Sequence, residues 1–199
     1  MIDGGPAKSI ARGATPGRAR AFLGLGSNID PEENVWSALE MLTASPGLIL
    51  TGISTLFRTP ALSPPEPDSP VHAPPPPPHP DFLNGVLEIL TDLDAGELEA
   101  LLHRIEGSLG RVRTQGRYAP RPMDLDLLLY LPVAGEAHLP HPDVLTRAFV
   151  AHPLLELSPG LRLPPEGLPL QEVADRFPGP GGTPEGTITA SLRSRFLSR

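Results

Sequence analysis

The chain has 199 residues, 39% hydrophobic and 20% charged, enough for one domain with a real core and marginal for two. Its net charge of −7 argues against a general nucleic-acid binder, the absence of cysteine removes disulfide and thiolate chemistry, and no apolar run approaches the ~20 residues of a membrane span. Twenty-eight prolines and 20 glycines, about a quarter of the chain, predict that part of it is not packed.

Residues 1–20 are small, polar and basic and lack the apolar stretch of a secretory signal. They are expected to be a flexible extension, and the compartment is expected to be cytoplasmic. Ala21 to Leu25 (AFLGL) reads as a buried strand ending at Gly26-Ser27-Asn28, a turn that serves either for tight reversal or for close backbone approach to an anion. Asp30-Pro31-Glu32-Glu33 is a helix start, with an acidic cap, proline at the first position and glutamate three residues after the cap. Val35, Leu39 and Leu42 continue that helix. Leu48 to Arg58 reads as one strand.

Ser63 to Pro80 holds ten prolines in 18 residues and is expected to be an exposed loop insertion of polyproline character. Phe82 to Leu90 is a strand. Asp94 caps a helix whose face is Leu98, Leu101, Leu102, Ile105 and Leu109, closed by Gly110. Met123 to Tyr130 is again a strand. The order β-α-β-β-α-β predicts an α+β fold with a ferredoxin-like core, an antiparallel sheet with helices packed on it, and extended loops and tails. One domain over residues 21–164, with the insertion at 63–80, is followed by an extension over 165–199, in which Thr183 to Arg199 forms at most a weak helix.

The densest chemistry lies in GRVRTQGRYAPRPMDLDLLLY, Gly110 to Tyr130, where four arginines in eleven residues precede two aspartates. On a strand, Asp124 and Asp126 share one face while Leu125, Leu127 and Leu129 fill the other. Two such carboxylates are either surface acids paired with Arg121 or Arg117, or ligands of magnesium together with substrate phosphates. Arg111, Arg113, Arg117 and Arg121 are either a solvated basic loop or a polyphosphate site, since the guanidinium fork matches phosphate oxygens. His141 and Arg147 extend the same cluster. Phe82 and Asn84 share a strand face, an arrangement that suits a flat heterocycle or ordinary core packing.

The segments LGLGSN, FRTPAL, DFLN, GRVRTQGRYAPRPMDLDLLLY and LPHPDVLTRAF together resemble the 6-hydroxymethyl-7,8-dihydropterin pyrophosphokinases of folate biosynthesis, over roughly Phe22 to Pro164. The resemblance implies transfer of a pyrophosphoryl group from ATP, as co-substrate, to the pterin hydroxymethyl, with two Mg2+ ions. It implies no nucleic-acid or membrane partner and no obligate protein partner. It implies that Asp124 and Asp126 hold the ions and act catalytically with Arg111, Arg113 and Arg121. Thr59, Pro60, Leu62, Phe82, Asn84, Tyr118 and Phe149 match the pterin side, and Glu106, Arg121, Leu127, His141 and Arg147 the ATP side.

The chain departs from that pattern at Tyr118, where tryptophan is common, and in its long proline-rich loop after Leu62. Phe82 stacks but donates no hydrogen bond. A polymerase-β-like nucleotidyltransferase also combines a Gly-Ser turn with a DxD strand. In that class the two lie close in sequence, whereas Ser27 and Asp124 are about a hundred residues apart. A proline-tract ligand for an SH3- or WW-type partner would use Pro74 to Pro78 and leave the arginine–aspartate segment unexplained.

Overall fold

The protein is seen in a computed structural model that describes residues 18–61, 80–112, 119–135, 137 and 140–197. The element order is β1 (Ala19–Ser27), α1 (Pro31–Ala44), β2 (Leu48–Ile53), β3 (Phe57–Thr59), β4 (Phe82–Thr91), α2 (Ala95–Ser108) and β5 (Asp124–Leu131). There follow α3 (Pro142–Thr146), α4 (Ala148–Leu157), β6 (Arg162–Leu163), β7 (Leu168–Pro169), α5 (Leu170–Ala174), β8 (Thr183–Pro184) and α6 (Gly186–Phe196). Strands run β5-β1-β4-β3-β8, with β2 also on β4, and the pairings are antiparallel. This is the expected α+β, ferredoxin-like order, with both central strands buried.

Alternation along β1 sorts the sheet into two faces. Ala19, Ala21, Leu23 and Leu25 face α1, α2 and α6, where Val35, Leu39, Leu98, Leu102 and Leu192 pack with them. Phe22 turns the other way, onto a second cluster with Val150 and Leu154 of α4 and Leu170 of α5. Each buried leucine contributes on the order of 2 kcal/mol. Among the described residues, no helix is long and apolar enough to cross a membrane.

Four expectations change in detail. The predicted strand Leu48–Arg58 is two strands, because the chain spends one extra residue between Ile53, opposite Leu87, and Phe57, opposite Asn84. Ser54 causes the break: its hydroxyl, not a backbone carbonyl, takes the N–H of Val86 at 2.9 Å. Asp30 occupies the N-cap of α1, but at φ 41° its side chain makes no cap hydrogen bond. By contrast, Asp94 and Glu97 form the full reciprocal capping box on α2. Leu129 does not share a face with Leu125 and Leu127, because a register shift around Leu128 sends Leu128 and Leu129 into the second cluster. The segment from Thr183 is more than a weak helix: β8 pairs with β3, and α6 places Leu192 in the main core.

Candidate active site

The cleft is opened by absent side chains. On β1, the positions facing away from α1 and α2 after Phe22 are Gly24 and Gly26. Register sets Gly26 opposite Asn84 of β4 on one side and Asp124 of β5 on the other. A Cβ on Gly26 would lie 2.7 Å from the Asn84 Oδ1, so only glycine leaves that amide in place. The resulting cleft of about 170 Å³ is walled by Thr59, Phe82 and Asn84 from β3 and β4 on one side of β1, by Asp124 and Asp126 from β5 on the other, and by Arg121, Arg147 and Phe149. The Asn84 amide is buried and donates to the Thr59 hydroxyl at 2.7 Å, which fixes both groups.

The turn after β1 holds Arg121. Asn28 Oδ1 accepts from the backbone N–H of Arg121 at 2.8 Å, and Asn28 N–H donates to the Arg121 carbonyl at 3.2 Å. The Ser27 hydroxyl donates to the Pro122 carbonyl at 2.6 Å. Buried Ser27 and Asn28 therefore pin the residues leading into β5. Arg121 Nη1 reaches Asp124 Oδ2 at 2.5 Å, and its guanidinium lies 5.9 Å from the Phe82 ring centre.

A second support comes from α2. Gly110 at φ 88° closes the helix, with Gly110 N–H donating to Gly107 and Arg111 N–H donating to Glu106. That closure sets the Arg111 guanidinium against both Glu106 and Asp124. Glu106 is buried and also accepts from the Leu125 N–H at 2.9 Å, so it aligns the strand and the arginine together.

The two aspartates are not equivalent. Asp124 is paired with Arg111 and Arg121. Among the described residues no cation lies within ion-pair distance of Asp126. Burial first, and the charge of Asp124 second, push the Asp126 carboxyl up from 3.8 to about 6, while His141 and Arg111 pull it down. Among the described residues the salt-bridge alternative thus describes Asp124, paired with Arg121, and not Asp126.

A desolvated carboxylate beside a like charge is a donor set suited to a hard divalent cation. Among the described residues no cluster of three or more histidines or acids forms a metal-binding group. Such an ion would complete its shell with phosphate or water oxygens, the usual habit of magnesium.

Thr59, Pro60, Phe82, Asn84, Arg121, Asp124, Asp126, Arg147 and Phe149 are brought to one cleft. Arg111 and Glu106 stand behind Asp124. His141 does not line the cleft; its N–H donates to the Leu128 carbonyl at 2.8 Å, and its charge is felt at Asp126. Leu127 stands on the opposite face, against the helix-side core. Leu62, Arg113, Arg117 and Tyr118 lie outside the described residues. Sequence reasoning missed Gly24 and Asp143. The signal for Gly24 was present in the alternation LGLG. Asp143 lines the cleft and lies 3.6 Å from Arg147 Nε, at helical i, i+4 spacing.

The family model for 7,8-dihydro-6-hydroxymethylpterin-pyrophosphokinase (HPPK) matches residues 22–159. A 2-amino-4-hydroxy-6-hydroxymethyldihydropteridine pyrophosphokinase of Pseudomonas aeruginosa is 35% identical over 166 residues, 81% of this chain and 94% of that protein. One of the same name from Methylorubrum extorquens is 39% identical over 146 residues, 71% of this chain and 84% of that protein. The "Folic acid synthesis protein fol1" of Schizosaccharomyces pombe is 35% identical over 165 residues, 81% of this chain, and the match spans only 21% of that longer protein.

Proposed function

Because the chain belongs to the 7,8-dihydro-6-hydroxymethylpterin-pyrophosphokinase family, we propose that it transfers the pyrophosphoryl group of ATP to 6-hydroxymethyl-7,8-dihydropterin in folate synthesis. The products are AMP and the pterin diphosphate. It is an ATP-dependent pyrophosphokinase acting on small molecules. The observation that supports the reading best is the asymmetry of the cleft. The β3–β4 side carries Thr59, Phe82 and Asn84, the β5 side carries Asp124 and Asp126, and Arg121, Arg147 and Phe149 complete the lining. A flat heterocycle suits the first and a polyphosphate the second.

In this reading the pterin hydroxyl oxygen attacks the β-phosphorus and its proton is released to solvent. The bond from that phosphorus to the α,β-bridging oxygen breaks, and AMP leaves with the oxygen. The nucleophile is the substrate's own primary hydroxyl, so the chain supplies alignment and charge rather than a covalent intermediate. Arg121 and Arg147 hold the phosphates, with His141 beside them. Phe82 and Phe149 hold the ring, and the Asn84–Thr59 pair reads its edge. Asp124 and Asp126 are the proposed ligands of two Mg2+ ions, which supply charge neutralisation at the phosphates. On phosphate binding, Arg121 exchanges its Asp124 partner for phosphate oxygens and frees that carboxylate. Arg113, Tyr118 and Leu62 keep the roles that the family pattern implies, and the proposed compartment is the cytoplasm.

The test is AMP release from ATP and Mg2+ with and without the hydroxymethyl dihydropterin. The expected outcome is pterin-dependent AMP, lost by orders of magnitude in Asp126→Asn. AMP formed at the same rate without the pterin would overturn the reading.

A further inference from the structure

The stretch Ile53–Thr59 carries Thr59 to the cleft, yet much of it lies outside the regular ladder of the sheet. Its backbone groups must find other partners. Those partners come from residues far along the chain. The Leu56 carbonyl accepts from Glu185 N–H at 2.8 Å, and the buried Leu56 N–H donates to the Thr189 hydroxyl at 3.0 Å. The Ile53 carbonyl accepts from Arg193 Nε at 2.8 Å, and Thr55 N–H donates to Glu156 at 2.9 Å. Arg193 and Glu156 are themselves paired at 2.6 Å. Arg58 Nε meets Glu185 at 2.5 Å.

The closest approach is at the cleft residue itself. A Cβ on Gly182 would lie 2.4 Å from the Arg58 carbonyl and 2.7 Å from Thr59 Cγ2. The Gly182 backbone is therefore pressed against Thr59 on one side, while Asn84 holds its hydroxyl on the other. Gly182, Glu185, Thr189 and Arg193 all lie beyond residue 159, where the family match ends.

We propose that the segment Gly182–Arg193 positions Thr59 in the cleft and so sets the affinity of its heterocycle side, with Glu185 and Thr189 as positioning residues that touch no substrate. The assignment of that side to the pterin rests on the function proposed above. Physically, a segment beyond the stretch that the family model matches takes over the backbone hydrogen bonds of an irregular stretch, and thereby fixes a binding side chain.

The test uses the full chain with Thr189→Val, which keeps shape and removes the acceptor, and Thr189→Ser, which restores it. In Thr189→Val, KM for the hydroxymethyl dihydropterin should rise about fivefold, with KM for ATP and kcat within about twofold of wild type, the pattern of lost uniform binding. Thr189→Ser should return near wild type. Amide exchange over residues 54–59 should be faster in Thr189→Val than in Thr189→Ser. If the valine variant does not fold, Glu185→Gln carries the same measurements with the same expectations. Unchanged KM values, or KM for both substrates rising together, overturn the proposal. If wild type releases no pterin-dependent AMP, the proposed function fails instead, and amide exchange alone decides the positioning role: equal exchange in the paired variants overturns it.

Discussion

Asp124 and Asp126 sit two residues apart and do opposite things to the unliganded protein. Asp124 is held by two arginines, so Asp124→Asn leaves Arg111 and Arg121 short of an acceptor and should destabilise by about 1–2 kcal/mol. Asp126 is an acid whose folded value, about 6, lies above its ordinary 3.8. Between those values the folded state binds more protons than the unfolded one, so stability falls as pH rises through the window and stays lower above it. The shift corresponds to about 3 kcal/mol as an upper figure. In metal-free protein, Tm should fall from pH 4 to pH 6 more steeply in wild type than in Asp126→Asn, and that variant should melt higher at pH 7. Parallel melting curves across pH would remove Asp126 as the desolvated member. Adding Mg2+ with an ATP analogue should reverse the order, stabilising wild type more than the variant. The sequence made both acids visible because they stand between a run of arginines and an apolar strand. It gave no sign of their inequivalence, which depends on a helix closure at Gly110 that swings Arg111 to one of them.

At the scale of elements, β1 shows how a strand builds a site by subtraction. Its leucines at 23 and 25 go to the core and its glycines at 24 and 26 to the cleft. Gly26→Ala should push the Asn84 amide off its bond to Thr59, since the added carbon would fall 2.7 Å from Oδ1. The expected outcome is KM for the pterin raised by about tenfold with KM for ATP less affected, at a stability cost of about 1–2 kcal/mol. An unchanged pterin KM would separate Asn84 from ring recognition. Alternation and capping made most elements readable in advance, above all α2, whose Asp94–Glu97 box was written out in the sequence. Spacing places Asp30 at the cap of α1 correctly, but not its left-handed backbone, which leaves the side chain without a cap hydrogen bond. The break at Ser54 escaped because a serine hydroxyl substitutes there for a ladder carbonyl. The bulge at Leu128 escaped because a run of leucines looks the same on either face.

At the scale of the molecule, the described residues form a six-stranded sheet with a core on each side and a small β6–β7 pair, and the C-terminal segment joins the main core and lies against the strand that carries Thr59. Composition marks Thr183 to Arg199 as at most a weak helix, since the chain after Pro164 is rich in proline, glycine and polar residues, yet α6 is formed over Gly186–Phe196. Its stability comes from what it touches: Leu192 is buried in the main core, and Trp36 of α1 meets Phe196 edge-on at 5.3 Å. Contacts of this kind have no local signature. Leu154 of α4 is buried in the other cluster, across the sheet. Leu192→Ala and Leu154→Ala should each cost about 2–4 kcal/mol. Each kilocalorie corresponds to about 2–4 °C in Tm for a chain of this size. Because β1 and β4 carry side chains into both clusters, loss on either face should lower the same single unfolding transition. The two costs should add in the double variant to within about 0.5 kcal/mol, since the sites share no cluster. Urea unfolding followed by far-ultraviolet circular dichroism and by the fluorescence of Trp36 checks this, because the tryptophan reports the α1–α6 side alone. Coincident curves in all four proteins are expected. A fluorescence transition that precedes the loss of secondary structure in Leu192→Ala would mean that α6 unfolds by itself, and that the cleft wall at Thr59 can lose its support while the sheet stays intact.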